Sequence, residues 1–156
     1  MTVVAAAVAV LTIGVLVLVL GSSTREEGAP DPVASLDAVI GTWEASAGPD
    51  APAEPVAPVR LTFAEGGMFF ETGCNTGRGS ATVEDGRLVG GPFATTRKAC
   101  VPPLDEQEAW VLEMLAAAPQ LGLVGTNELT LSWGDGYQLV FTRVADSGSD
   151  SPTPRV

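Results

Sequence analysis

Glycine-marked turns between short β-prone runs constrain the fold of this chain more than any other feature. The turns 84–86 and 134–136 each contain an Asp-Gly pair, and each stands between two short runs rich in apolar and β-branched residues. Another pair of runs, 59–63 and 68–71, flanks a Gly-Gly turn. Asp-Gly between such runs is a strong β-hairpin signal. Several short strands joined in this way predict a strongly curled, barrel-like antiparallel β-sheet.

One stretch has helical rather than alternating periodicity. Between 104 and 118, apolar side chains recur at the spacing of one helix face. Asp105 is the expected N-cap, Glu108 follows three residues later as in a capping box, and Pro119 ends the helix. One α-helix packed on the sheet makes the predicted class α+β. The apolar stripe consists of Val111, Met114, Leu115 and Ala118.

The chain begins with an uncharged apolar run over residues 3–20, interrupted only by Thr12 and Gly14. About 20 apolar residues are enough for a helix to span the hydrocarbon core of a bilayer. The run predicts an N-terminal transmembrane helix that holds the chain to the membrane, with a secretory signal or a buried core helix as alternatives. We expect the remainder to lie on the extracytoplasmic side of a bacterial cytoplasmic membrane, or to be secreted if the segment is cleaved.

Composition shifts divide the chain into four parts. Residues 1–20 form the transmembrane anchor or signal segment, and 21–35 are small, polar and proline-bearing, as in a flexible linker. Residues 36–144 are long enough for one folded domain. Residues 145–156 have the composition of a disordered tail. Within the domain, the stretch 46–58 is rich in Ala and Pro and is expected to be a long surface loop.

Charge and residue types exclude several functions. The net charge of −11 would repel nucleic acids, so no nucleic-acid partner is expected. The chain contains no histidine, which removes the commonest metal ligand and the commonest general base at neutral pH. We therefore expect no metal, no cofactor and no enzyme activity. A hydrolase that uses carboxylates alone, such as Glu106 with Glu113, is the remaining enzymatic alternative.

The two cysteines, Cys74 and Cys100, lie in glycine- and proline-flanked connections between predicted strands. An even number of cysteines in an exported protein favours a disulfide. Closing the loop between them would stabilise the fold by about 3 kcal/mol in the chain-entropy model. Free buried thiols are the alternative. Two thiols without histidine are too few for a structural zinc site, and their spacing differs from a redox Cys-x-x-Cys pair.

The residues around the first cysteine resemble a known family. Gly73-Cys74-Asn75, with Gly79 four residues further on, is similar to the Gly-Cys-Asn signature of the META domain family, the family of HslJ-like heat-inducible envelope lipoproteins. The stretch 94–100, which ends at the second cysteine, is similar to that family's Thr-x-x-x-Cys segment. The resemblance covers 36–144. Other segments are similar to the family and occur in the family's order along the chain. They lie at 40–43, 61–63, 108–115, 129–131 and 137–143.

The resemblance implies a cell-envelope protein with a binding or stress-response role rather than an enzyme. Members of the family are linked to heat-shock induction and to resistance against novobiocin. The motif residues Gly73, Asn75 and Gly79 are expected to form a structural turn. Glycine permits backbone angles closed to other residues, and asparagine tolerates left-handed conformations and bonds to nearby backbone.

Thr95, Thr96, Arg97 and Lys98 form a local cluster of hydroxyl groups and positive charge on an otherwise acidic chain. The cluster is a candidate contact for an anion or for an acidic segment of a partner. The alternative is that Arg97 and Lys98 pair with carboxylates of the domain itself.

The sequence favours a non-enzymatic, exported or membrane-anchored envelope domain whose partner is an unidentified protein or small molecule. The alternative is a structural or assembly role in contact with another membrane protein. A shallow binding surface would favour the second function over the first.

Overall fold

A computed structural model of the protein describes residues 28–145, with the exception of 47 and 49. A short 3₁₀ helix, Leu36–Val39, and one α-helix, α1 (Leu104–Ala116), accompany ten strands in this part of the chain. The strands are β1 (Asp31–Pro32), β2 (Gly41–Ser46), β3 (Arg60–Ala64), β4 (Gly67–Glu71), β5 (Thr76–Glu84), β6 (Arg87–Gly90), β7 (Ala94–Thr95), β8 (Gln120–Val124), β9 (Glu128–Trp133) and β10 (Tyr137–Arg143).

The strands form a single antiparallel sheet that curls into a ring. The order along the sheet is β1-β8-β6-β5-β4-β3-β2-β10-β9, and β8 also pairs with β9, so that the two ends meet. Strand β7 lies outside this path and pairs with β5. The prediction of a curled antiparallel sheet with one α-helix is confirmed.

Both predicted Asp-Gly hairpins are present. Asp85 and Gly86 form a two-residue loop between β5 and β6 with φ angles of 50° and 75°. Two consecutive positive φ angles are what a type I′ turn requires, and this turn matches the twist of the strands that it joins. The turn 134–136 connects β9 to β10, where Trp133 pairs with Tyr137.

Alternate strand residues point into the ring, where they meet one face of α1. Val111 and Met114 of the helix are fully buried in the same apolar cluster as the inward-facing side chains of the strands. Each fully buried large apolar side chain stabilises the fold by roughly 1.5–3 kcal/mol, before the loss of conformational entropy. The largest fully buried strand residues are Trp43, Leu61, Phe63, Phe70, Leu88, Leu121, Leu129, Leu131, Leu139 and Phe141.

Three strands fall where the sequence did not predict them, and one of these is the two-residue strand β7. Strand β8 directly follows the helix and closes the ring, although Gly122 interrupts its apolar residues. Strand β1 lies within the segment that was assigned to the flexible linker 21–35, and it pairs with β8. The glycine makes this pairing possible, because a Cβ at Gly122 would lie 2.5 Å from Pro30 Cβ and 2.6 Å from Thr130 Oγ1.

The helix begins at Leu104 as predicted, but its N-cap and its C-terminal end differ from the prediction. Its N-cap is Pro103, so Asp105 lies within the first turn, where its Oδ1 accepts a hydrogen bond from the backbone N–H of Glu106 at 2.9 Å. The helix ends at Ala116, and Ala118 adopts a positive φ of 48° in the turn before β8. The expected N-cap role of Asp105 is therefore wrong.

No helix within residues 28–145, as far as they are described, is long and apolar enough to cross a membrane. The transmembrane helix predicted for 1–20 lies outside the described residues. So does the predicted tail, apart from its first residue.

Candidate functional site

The two cysteines form a disulfide that joins the turn after β4 to the segment before α1. Cys74 and Cys100 have a Cα–Cα distance of 6.1 Å, within the usual range for a disulfide. The disulfide prediction is confirmed. The Oε2 atom of Glu108 lies 3.2 Å from Cys100 Sγ, but sulfur atoms bonded to each other are not thiolate ligands for a metal.

The side chain of Asn75 lies beside the disulfide and is 5% exposed. Its Oδ1 accepts hydrogen bonds from the backbone N–H of Lys98 at 2.8 Å and from Thr96 Oγ1 at 2.7 Å. Its Nδ2 donates to the carbonyl of Lys98 at 3.2 Å and to Glu108 Oε2 at 2.8 Å. The amide thus pairs with both backbone groups of one residue, as a neighbouring β-strand would. This pairing holds the segment after β7 in place.

Thr72 and Gly73 shape the turn that presents Asn75. The backbone N–H of Thr72 donates to the carbonyl of Asn75 at 2.8 Å, and Thr72 Oγ1 accepts from the Asn75 N–H at 3.0 Å. Gly73 has a φ of 91°, which other residues rarely adopt, and a Cβ at this position would collide with the side chain of Gln107. The turn therefore depends on glycine for both conformation and space.

Gly79 does not belong to this turn, although the sequence grouped it with the motif. It lies within β5 opposite Met68, where a Cβ would be 2.7 Å from Phe93 Cδ1 and 2.8 Å from the carbonyl oxygen of Pro92. The missing side chain lets Phe93 pack edge-on against Phe70, with ring centroids 5.2 Å apart.

Glu108 contributes to the disulfide region rather than to a helix cap. Its Oε2 accepts from Asn75 Nδ2 at 2.8 Å, and Thr72 Oγ1 lies 3.4 Å away. We call the group around the disulfide the disulfide cluster. Its members are Thr72, Cys74, Asn75, Cys100, Gln107 and Glu108.

Gln107 is a buried polar residue that no sequence motif marks. It is 2% exposed, and its Oε1 accepts from the backbone N–H of Val56 at 2.7 Å and of Ala57 at 3.3 Å. Its Nε2 donates to the carbonyls of Ala57 at 3.0 Å and Thr72 at 2.6 Å. One side chain thereby ties the loop between β2 and β3 to the helix. Its position four residues before Val111 places it on the apolar stripe, which is the signal that could have identified it.

The four predicted contact residues are all exposed, but their side chains have different surroundings. The Thr96 hydroxyl is committed to the fold, because it donates to Asn75 Oδ1 and accepts from the Thr76 N–H at 3.1 Å. Neither Arg97 nor Lys98 forms an ion pair with any carboxylate in the part of the chain that the structure describes. The predicted alternative, pairing with the domain's own acids, is not found within those residues.

Other basic side chains have partners within the domain. Arg60 lies between Glu44, at 2.6 Å, and Glu71, at 3.7 Å, and its pKa is raised chiefly by the hydrogen bond and charge of Glu44. Arg87 and Arg143 donate to backbone carbonyl groups. Among the described residues, the basic side chains with no carboxylate or carbonyl partner are Arg78, Arg97 and Lys98.

Arg78 stands beside an exposed aromatic ring on the outer face of the sheet. It pairs in register with Phe69 of β4, which is 40% exposed, and with Ala94 of β7. Three open depressions adjoin here. The depression that contains Thr76 and Thr95 shares Phe69, Arg78 and Ala94 with the second depression, and it shares Thr76 with the third. We call the continuous surface the outer trough. Its defining residues are Phe69, Thr76, Arg78, Ala94, Thr95 and Lys98.

A separate depression lies at the β9–β10 hairpin, and its character is acidic and aromatic. Trp133 and Tyr137 have ring centroids 5.7 Å apart, and the carboxylates that line the depression belong to Asp50, Glu113 and Asp135. Glu106, the other member of the carboxylate pair considered from the sequence, does not line it.

The fold and the disulfide cluster define a class of small domain in which one helix packs on a ring-like antiparallel sheet and a disulfide secures the connection to that helix. The META domain profile matches residues 36–146. The chain belongs to the META domain family, which confirms the resemblance carried by the Gly-Cys-Asn motif.

Two solved structures resemble the chain in fold. One is the NMR structure of a protein from Burkholderia xenovorans, with a TM-score of 0.57 and 24% identity over 74% of this chain and 90% of that one. The second is another protein solved by NMR, with a TM-score of 0.53 and 24% identity over 66% of this chain and 88% of that one. No curated protein sequence matches the chain.

Proposed function

We propose that this protein is a non-enzymatic envelope domain that is exported or anchored in the membrane. Its role is to bind a partner or to protect against stress, and the outer trough is the surface that contacts the partner. The observation that carries the proposal is the pairing of exposed Phe69 with Arg78, whose guanidinium has no carboxylate partner among the described residues. An aromatic ring supplies apolar contact area, and a free guanidinium supplies charge and directed hydrogen bonds. Aromatic residues and arginine are enriched where proteins recognise other molecules.

Two features support a location outside the cytoplasm. The apolar run 3–20 is long enough for a membrane anchor. The Cys74–Cys100 disulfide is of a kind that persists in oxidising compartments and is rare in the cytosol.

Site-specific photo-crosslinking in cells tests the contact surface. A photoreactive amino acid replaces Phe69 in the full chain, and a matched chain carries it at Val89, which is 36% exposed on the outer face of β6. We expect a light-dependent adduct from position 69 and none from position 89. Adducts of equal yield from both positions, or from neither, would contradict the outer trough as the contact surface. A stoichiometric adduct to one membrane protein would support the assembly alternative.

Thiol labelling of intact cells tests the location. A membrane-impermeant maleimide should label Cys74 and Cys100 only after treatment with an impermeant reductant. Labelling without the reductant would contradict the disulfide, and labelling only after cell lysis would contradict the external position of the domain.

A further inference from the structure

We infer that the outer trough binds an extended, acidic polypeptide segment in which the side chains that face the trough, at every second residue, alternate between apolar and carboxylate. This inference rests on the proposed function, because it names the ligand class for the same surface. It goes beyond the assignment of a contact surface in stating the shape, charge and side-chain pattern of the occupant.

The shape of the trough favours an extended chain over a compact small molecule. From Gly79 to Thr76, β5 follows the trough for about 10 Å, at about 3.3 Å per residue. Beyond Thr76, the surface continues to Lys98 and Pro58. The surface is open to solvent along its length, whereas small-molecule sites enclose most of their ligand. The stretch along β5 matches about three extended residues, and the surface beyond Thr76 accommodates a longer segment.

The charges of the trough favour carboxylates in the occupant. Arg78 lies in the middle of the trough and Lys98 lies near one end, and neither has a carboxylate partner among the described residues. Glu71 also lines that end, and its carboxylate is paired with Arg60 at 3.7 Å. A guanidinium group can bind a carboxylate through two parallel hydrogen bonds. The net charge of −11 makes these unpaired cations a local exception on an acidic molecule. An acidic segment is therefore attracted here and repelled by most of the remaining surface.

The other end of the trough is apolar. Met68, Phe69, Pro92 and Ala94 line the depression beside Arg78, and the ring of Phe69 is 40% exposed. A purely anionic ligand would leave this ring in water. An aliphatic or aromatic side chain would cover the ring, while a carboxylate two residues away along the segment would reach the guanidinium. Adjacent side chains of an extended strand point to opposite faces, so the apolar and acidic side chains that face the trough stand two residues apart, at roughly 6.6 Å.

Fluorescence anisotropy with defined peptides tests the ligand class. The protein is the full chain in nanodiscs of zwitterionic lipid. The probe is a fluorescein-labelled eight-residue peptide with Glu and Val in turn at every second position and Ser between them. Matched peptides replace every Glu by Gln or every Val by Ser, and empty nanodiscs provide the blank. We expect saturable binding of the Glu/Val peptide and affinities lower by about tenfold or more for both matched peptides. Equal binding of all three peptides would overturn the inference.

Two charge reversals locate the binding. Arg78→Glu should lower the affinity for the Glu/Val peptide by about tenfold or more. Arg87→Glu makes the same charge change on β6 outside the trough and should lower this affinity less than twofold. Phe69→Ala should weaken binding without altering the salt dependence, because it removes apolar contact and no charge. Equal losses for the two arginine variants would show a general charge effect and would overturn the inference.

Inorganic polyphosphate separates peptide recognition from general anion binding. If polyphosphate binds through Arg78 and the Glu/Val peptide does not, the occupant is a non-peptide anion and the inference is wrong. If the peptide fails but position 69 still forms its crosslink in cells, the ligand class is wrong and the contact surface stands. If both fail, the proposed function falls with the inference.

Discussion

The disulfide cluster and the outer trough are neighbours, yet their polar groups differ in burial and in hydrogen bonding. In the cluster, the amide of Asn75 and the amide of Gln107 are buried and hydrogen-bonded on both their oxygen and nitrogen atoms. In the trough, the cations of Arg78 and Lys98 are exposed and have no carboxylate partner within the described residues. The contrast separates polar groups that specify the fold from polar groups that remain available to a partner.

Lys98 connects the two regions. Its backbone N–H and carbonyl are both bonded to the side chain of Asn75, and the residue is exposed at one end of the trough. The cluster therefore fixes the position of the backbone from which one of the trough's cations extends. Variants of the cluster should lower stability, whereas variants of the trough should lower binding at constant stability.

Removal of the disulfide should give the largest effect on stability. Replacement of both Cys74 and Cys100 by alanine restores the full conformational freedom of the unfolded chain, and we expect the free energy of unfolding to fall by about 3 kcal/mol. Urea unfolding followed by tryptophan fluorescence measures the change. The wild-type chain in reductant serves as the control and should match the variant. A loss below about 1 kcal/mol would mean that the hydrogen bonds of Asn75 hold the segment without the disulfide.

Asn75→Ala should have the next largest effect. It leaves the backbone groups of Lys98 and the carboxylate of Glu108 without their amide partner, and we expect a loss of about 2 kcal/mol. Thr82→Ala on the exposed face of β5 is the control and should change stability by less than about 0.5 kcal/mol. Equal unfolding midpoints for the two variants would contradict a structural role for Asn75.

Gln107→Leu should lower stability by about 1–2 kcal/mol and loosen one loop selectively. The substitution keeps apolar volume in the helix stripe but removes the partners of the backbone groups at Val56 and Ala57. Hydrogen exchange should therefore become faster at these two amides. The amide of Phe63, in the centre of the sheet, should exchange at a rate set only by the overall loss of stability. Unchanged protection at Val56 would contradict the anchoring role of Gln107.

Arg78→Ala should have the smallest effect on stability. The side chain is exposed and makes no ion pair within the described residues, so we expect a change within about 0.5 kcal/mol. Binding of the acidic peptide should nevertheless fall by about tenfold or more. A stability loss above about 1 kcal/mol would place Arg78 among the residues that specify the fold and would remove the contrast between the two regions.

Local signals in the sequence were sufficient for the hairpins and the helix. The Asp-Gly turn at 85–86 encodes its own conformation, and the apolar stripe around Val111 encodes the buried face of the helix. Strand β8 carries no such signal, because Gly122 interrupts it and its pairing partner β9 lies across the ring closure. The short strand β1 was assigned to the linker by composition alone. Its pairing with β8 depends on space beside Gly122 that the sequence does not reveal.

The candidate site was accessible from the sequence in part. The Gly-Cys-Asn motif indicates Asn75, and the even number of cysteines favours a disulfide between them. Glu108 was assigned to a capping box because its local spacing fits one, yet its carboxylate meets an amide 33 positions earlier in the chain. Phe69 and Arg78 carry no motif of their own. Their importance follows from strand register, which sets them side by side on the outer face.

NMR spectroscopy of the isotopically labelled full chain, titrated with the Glu/Val peptide, tests the contrast between the two regions most directly. We predict that the amide shifts change progressively at Phe69, Arg78 and Thr95 along the outer trough, while those of Val89 and Tyr137 stay in place. Changes concentrated at the β9–β10 hairpin, or spread evenly over the sheet, would contradict the assignment of the outer trough as the recognition surface of this META domain.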